Sequence, residues 1–114
     1  MQNPLDNLIN VELASVEFIR DYLQLHFDGP TLTILNNLFL VVSSQKISSD
    51  TIDFPYTLIS CIGSKIIKTK FIASDIAELE FSNDTKLVIS LRAEDYVSVE
   101  GIIFDAKEKG YWVW

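Results

Sequence analysis

The chain holds almost none of the residues that build chemistry. It has one cysteine, Cys61, and one histidine, His26, in 114 residues. A lone cysteine forms no internal disulfide, which fits a reducing compartment and makes the cytoplasm the expected location. A zinc site takes three or four ligands and a general base takes a positioned partner, and this inventory builds neither in the usual ways. The expectation is therefore no catalytic residue, no cofactor, no metal and no enzyme. Four scattered glycines make no phosphate-cradling loop. No apolar run nears the ~20 residues that span a bilayer. The start, Met1-Gln2-Asn3-Pro4-Leu5-Asp6, carries neither the basic nor the apolar part of a secretory signal. Bases are scarce as well: nine Lys and Arg against sixteen Asp and Glu leave a net charge of −7. That balance argues against nucleic acid or an anionic membrane as partner, and it suits solubility or a basic protein.

What the chain does hold is alternation, and it holds it twice. Leu23, Leu25 and Phe27 alternate with Tyr22, Gln24 and His26, the period of a strand with one buried face. Asp28-Gly29-Pro30 breaks the run, and Leu32 and Ile34 resume it, which reads as a hairpin. Leu79 and Phe81 alternate with Glu78 and Glu80 in the same way, Ser82-Asn83-Asp84 turns the chain, and Leu87 and Ile89 follow. Upstream, Ala14, Val16 and Phe18 match Ile67, Thr69 and Phe71, each set on one strand face. Each half is thus a three-stranded meander, and residues 11–42 and 65–92 form an internal repeat.

Between the halves lies the polar stretch Ser43–Asp50, read as a loop. Pro55, Leu58, Ile59 and Ile62 then fall at i, i+3, i+4 and i+7, which predicts one short helix over 54–62 with that face against the sheet. Gly63 is placed to end it. Tyr111-Trp112-Val113-Trp114 is too aromatic to be left in water and is expected to pair as a final strand. The fold class expected for residues 1–114, taken as a single domain, is mainly β (α+β). Two repeated meanders would form an antiparallel curled sheet or sandwich, with one helix between them.

Candidate sites are surface carboxylates. Residues 1–57 hold two bases and seven acids, and residues 58–114 hold seven and nine. Glu78 and Glu80 lie on one strand face about 7 Å apart, near the separation of glycosidase carboxyls, but nothing else suggests a sugar cleft. Two readings of the charges follow. Lys65, Lys68 and Lys70 precede the glutamates and could neutralise them across neighbouring strands. Alternatively Glu78, Glu80, Asp84, Glu94, Asp95 and Glu100, with Tyr96 as an aromatic anchor, form an acidic patch for a basic protein.

One series of residues resembles a known family. It runs Phe18-x-x-Asp21-Tyr22-Leu23-Gln24-Leu25-x-Phe27-Asp28-Gly29-Pro30, Leu58-x-x-x-Ile62-Gly63, Leu79-x-Phe81, Ile89-Ser90-Leu91-x-x-Glu94-Asp95 and Trp112-Val113-Trp114. The series resembles the small acidic bacterial immunity proteins encoded beside polymorphic toxins, including contact-dependent growth-inhibition systems. It departs from that pattern at Ser82-Asn83-Asp84, where a glycine is expected, and at Val99-Glu100-Gly101, where a Gly-Pro-Glu-like corner is expected. The resemblance implies a cytoplasmic inhibitor that covers the active site of a cognate basic toxin domain, often a nuclease, one to one. The other reading is a non-enzymatic structural or ligand-binding β module.

Overall fold

A strand whose alternate residues are apolar must find a second layer to cover them. In the computed structural model, which describes residues 3–114, ten strands do this for one another. Met1 and Gln2, the first residues of the N-terminal stretch read above, lie outside the described residues. Strands β1 (Leu13–Ile19), β2 (Tyr22–Phe27) and β3 (Thr31–Ile34) form one antiparallel meander. Strands β6 (Ile66–Ile72), β7 (Ile76–Phe81) and β8 (Thr85–Ser90) form the other. Two further hairpins complete the sheets: β4 (Leu38–Val42) with β5 (Gln45–Ser48), and β9 (Ile102–Asp105) with β10 (Tyr111–Val113).

Each hairpin joins the meander of the other half. The strand orders are β1-β2-β3-β9-β10 and β5-β4-β8-β7-β6, so the two five-stranded sheets are built by exchange. The registers correspond: Leu40 lies opposite Leu87 and Ile47 in the second sheet, as Phe104 lies opposite Leu32 and Trp112 in the first. Even the irregularities repeat, with a bulge between Leu13 and Ser15 on β1 and another between Ile66 and Lys68 on β6. One hydrophobic cluster draws on both sheets and includes Leu23, Leu25, Phe27, Leu79, Phe81, Leu87 and Ile89. All seven are buried, while Tyr22 is exposed and Gln24, His26, Glu78 and Glu80 are half-buried on the outer faces. The alternation thus assigns the faces correctly, and the mainly-β sandwich stands.

Four details differ from the sequence reading. The bulges make Ala14 and Ile67 the extra residues of their strands, so Leu13 and Ile66, not they, begin the inward faces. Ser43–Asp50 is not all loop: Ser43 and Ser44 take φ of 51° and 67°, the left-handed pair of a tight hairpin turn, and β5 returns beside β4. The helix α1 covers Asp53–Ile59, with Pro55 in its first turn, and buries Phe54 and Leu58 together with Cys61 in the turn that follows. Pro55 is only half-buried and Ile59 and Ile62 are exposed, because the stripe 54-58-61 is the one that faces the core.

Candidate functional site

The outer faces of the two sheets carry opposite charge. Across the second sheet one row runs Lys68, Glu80, Lys86, Val41 and Lys46, and the next runs Lys70, Glu78, Val88, Phe39 and Ser48. Lys46 also rests its ammonium 4.4 Å from the centre of the Phe39 ring. Four lysines therefore surround two glutamates, and Glu78 and Glu80 belong to a face that is net basic. The register matches cross-strand neutralisation and not an acidic patch at these two positions.

The other five residues of the expected patch fall in turns at the two ends of that sheet. Asp84 lies in the β7–β8 turn at φ 67°. Glu94 and Asp95 lie in a 3-10 turn past the far end of β8, about 20 Å away by strand rise. Asp95 accepts a 2.5 Å hydrogen bond from the Ser90 hydroxyl. Tyr96 and Glu100, half-buried, follow in the same connection. This connection, residues 91–101, takes eleven residues where its counterpart between β3 and β4 takes three, 35–37. It is clamped at its end by the Gly101 carbonyl, which accepts from the Leu35 and Asn36 N–H groups at 2.9 and 3.3 Å. The buried Asn36 amide adds a 2.8 Å bond to the Ser90 carbonyl.

The two ends are joined by α1. Opposite its buried stripe the helix shows a second apolar stripe: Ile52, 80 % exposed, Tyr56, 72 % exposed, and Ile59. A further turn, closed by Ile62 N–H to the Ile59 carbonyl at 3.0 Å, adds Ile62 to it. Water-facing apolar side chains in such a run mark a contact surface more often than a structural one. Asp50, just ahead of the helix, lines one concavity with Arg92 and Asp95. At the other end the Asn83 amide donates to the Ser60 carbonyl at 3.3 Å, which seats the Asp84 turn on the end of the helix. The helix is only about 10 Å long. The result is an apolar strip with Asp50, Asp53, Glu94 and Asp95 at one end and Asp84 at the other. Two cations also line the Asp50 concavity, Lys46, whose ammonium rests over Phe39, and Arg92, whose Nε Asp75 holds at 3.1 Å, so the carboxylates there are partly offset.

The strip has the anatomy of a protein–protein contact: a large aromatic among aliphatics, with charge at the rim. Ile52, Tyr56, Asp50 and Asp53 were not among the expected site residues. The available signal was that apolar residues in 52–62 fill two helical stripes, 52-56-59 and 54-58-61, where a helix covering one core needs only one.

His26 sits on the outer face of the first sheet. Its Nε2 lies 2.9 Å from Glu17 Oε1, and its Nδ1 lies 3.4 Å from the Thr31 hydroxyl. The order carboxylate, imidazole, hydroxyl is that of a nucleophilic triad, but Thr31 lies within a five-stranded sheet whose N–H groups are taken up by the ladder. No pair of free N–H groups is left there to hold an oxyanion. His26 and Thr31, with Tyr22, Gln24, Thr33, Asp105 and Tyr111, line a shallow concavity of about 500 Å³. Cys61 is fully buried, and burial pushes its thiol above the ordinary value of 9.0 despite hydrogen bonds from Asn83, Thr85 and Ser60. A thiol so placed is a packing residue rather than a nucleophile. Among the described residues no three His, Cys, Asp or Glu side chains are grouped to hold a metal ion. Comparison of the chain with protein-family models, with curated proteins and with solved structures finds no match.

Proposed function

We propose that this protein is a stoichiometric inhibitor, an immunity protein, that binds a basic antibacterial toxin domain in the cytoplasm and acts by occlusion. The observation that carries the reading is the α1 strip, apolar along Ile52, Tyr56 and Ile59 and acidic at both ends. A toxin that acts on nucleic acid needs a basic cleft to hold phosphates. An inhibitor of such a cleft gains speed and orientation from acidic flanks and holds on through a desolvated aromatic centre. The test is co-expression of the toxin domain encoded immediately upstream, with and without this protein. Relief of growth arrest and a one-to-one complex on co-purification are expected. Equal arrest in both cultures, with no complex, would overturn the reading.

A ligand-binding module is the second reading, and the concavity over Gln24, His26 and Thr33 favours it. The two separate cleanly. Replacing Tyr56 weakens a toxin complex and leaves that concavity untouched, and replacing Gln24 does the reverse.

A further inference from the structure

Sheets that end in open edges invite pairing, and three of the four edges here are blunted. Strands β1 and β6 carry bulges and charged side chains, among them Glu17, Lys68 and Lys70. On β5, Lys46 adds charge, and the Ser48 carbonyl is capped by the Thr51 N–H at 3.1 Å and the Thr51 hydroxyl at 2.7 Å. Strand β10 has no such device. It contains no charge, no proline and no bulge, and its Tyr111 and Val113 side chains are 63 % and 45 % exposed.

This edge is also held ready. Trp112 stacks on Phe104 with ring centres 5.6 Å apart, and Trp114 meets Phe71 of the other sheet at 4.9 Å. Gly110, at φ 144°, turns the chain into β10 where a Cβ would run into the Trp112 ring. The Trp114 carbonyl accepts from the Gly101 N–H at 2.6 Å, and the Ala106 N–H donates to the Gly110 carbonyl at 2.9 Å. Positions 110, 112 and 114 therefore face β9. The main-chain groups of Tyr111 and Val113 point to the open side.

We infer that β10 is a self-association edge, and that a second copy of this chain pairs with it antiparallel about a two-fold axis centred on Trp112. In that register Tyr111 of each copy stands opposite Val113 of the other, and each such pair exchanges both N–H···O bonds. The side chains that meet are an aromatic and a β-branched residue, a favourable cross-strand pair. Charge points to the same arrangement. Two molecules of net charge −7 repel over most of their surfaces, but the edge itself is neutral. The pairing also brings the Lys107–Lys109 turn of one copy toward the Glu100 connection of the other. A three-residue edge makes a small interface, so the dimer belongs on the order of micromolar rather than nanomolar.

The test is sedimentation equilibrium of the whole chain from about 5 µM to 1 mM, a range that brackets a micromolar dimer, with Val113→Pro beside it. Proline at 113 removes only an N–H aimed at the open side, so the hairpin with β9 survives. The native protein should rise from 13.0 kDa toward twice that mass, and Val113→Pro should stay at 13.0 kDa throughout. If Val113→Pro fails to fold, as judged by circular dichroism, Tyr111→Lys replaces an exposed side chain and should give the same monomer. A native protein that stays at 13.0 kDa over the whole range overturns the inference. So does a dimer that survives both substitutions. A monomeric native protein whose toxin binding is lost in Val113→Pro assigns the edge to a toxin strand instead, and that result also overturns the dimer.

Discussion

Leu13 and Ile66 occupy equivalent places in the two halves, fifty-three residues apart, and their backbones cross-link those halves. The Leu13 carbonyl accepts from the Gly63 N–H at 2.8 Å, and the Ile66 carbonyl accepts from the Asn10 N–H at 2.7 Å. In return Leu13 N–H donates to Ser64 at 2.9 Å and Ile66 N–H to Val11 at 3.2 Å. Asn10 corresponds to Gly63 and Val11 to Ser64 at the same spacing, so each bond has its counterpart in the other half. The exchanged hairpins and this central set of bonds explain why neither meander has to form a sheet alone.

Both side chains are fully buried beside the bulges, and deletion should leave a cavity in either half. Leu13→Ala and Ile66→Ala should each cost about 2–5 kcal/mol, a large share of the stability of a small domain. Chemical denaturation checks this. The exposed bulge neighbour Ile67 is the control, and Ile67→Ala should cost under about 1 kcal/mol.

The corresponding pair Asn10 and Gly63 gives an asymmetric prediction. Their φ angles are 70° and 92°, in the region that favours glycine. Gly63→Ala should destabilise by about 1 kcal/mol through backbone strain, although nothing lies close to its Cβ position. Asn10→Gly should change stability by only a few tenths of a kcal/mol, because asparagine already tolerates this conformation. A thermal melt series on the two variants decides it.

Cys61 sets a limit at high pH. Its folded thiol titrates above the ordinary 9.0, so the native state keeps the proton that the unfolded chain releases. That contribution is fully present below about pH 9 and is lost as pH rises through the folded value. Native protein should therefore resist alkylation at pH 8, become less stable above pH 9, and regain stability there in Cys61→Ser or Cys61→Ala relative to the parent's own slope. Denaturation midpoints from pH 7 to 10.5 measure the slope.

The hairpins β2–β3 and β7–β8 were legible because alternation at Leu23-Leu25-Phe27 and Ala77-Leu79-Phe81 is a local signal with one physical cause, a face turned to the core. Strand β5 was not, because Ile47 is its single inward apolar residue and Ser43-Ser44 is an uncommon carrier of a left-handed turn. The exchange of hairpins was hidden too, since register between distant strands leaves no trace in a local pattern. The helix shows the same limit from the other side. Two apolar stripes on one segment announce two contacts, but only packing tells which of 54-58-61 and 52-56-59 faces the core. Charge behaved alike: Glu78 and Glu80 look acidic along the chain, and become part of a basic face once Lys68, Lys70 and Lys86 are paired beside them.

That difference separates two docking modes for the proposed toxin complex. If the α1 strip is the contact, Tyr56→Ala should speed dissociation by at least about thirtyfold, the cost of an aromatic hot spot of roughly 2 kcal/mol. Paired reversal of Asp53 and Asp84 to lysine should slow association several-fold and flatten its salt dependence, because those carboxylates flank the strip and steer the encounter. Reversal of Glu78 and Glu80 should leave association nearly unchanged, since their face already carries Lys46, Lys68, Lys70 and Lys86. Tyr56 and Asp53 are exposed, so changes there should not alter the melting temperature by more than a few degrees. Lysine at 84, where φ is 67°, should lower it, and so should lysines at 78 and 80, opposite Lys68, Lys70 and Lys86. Surface plasmon resonance at two salt concentrations resolves all three variants. Slower association on reversing Glu78 and Glu80, with Tyr56→Ala silent, would move the contact to the outer face of the second sheet and leave the helix strip without a role in the complex.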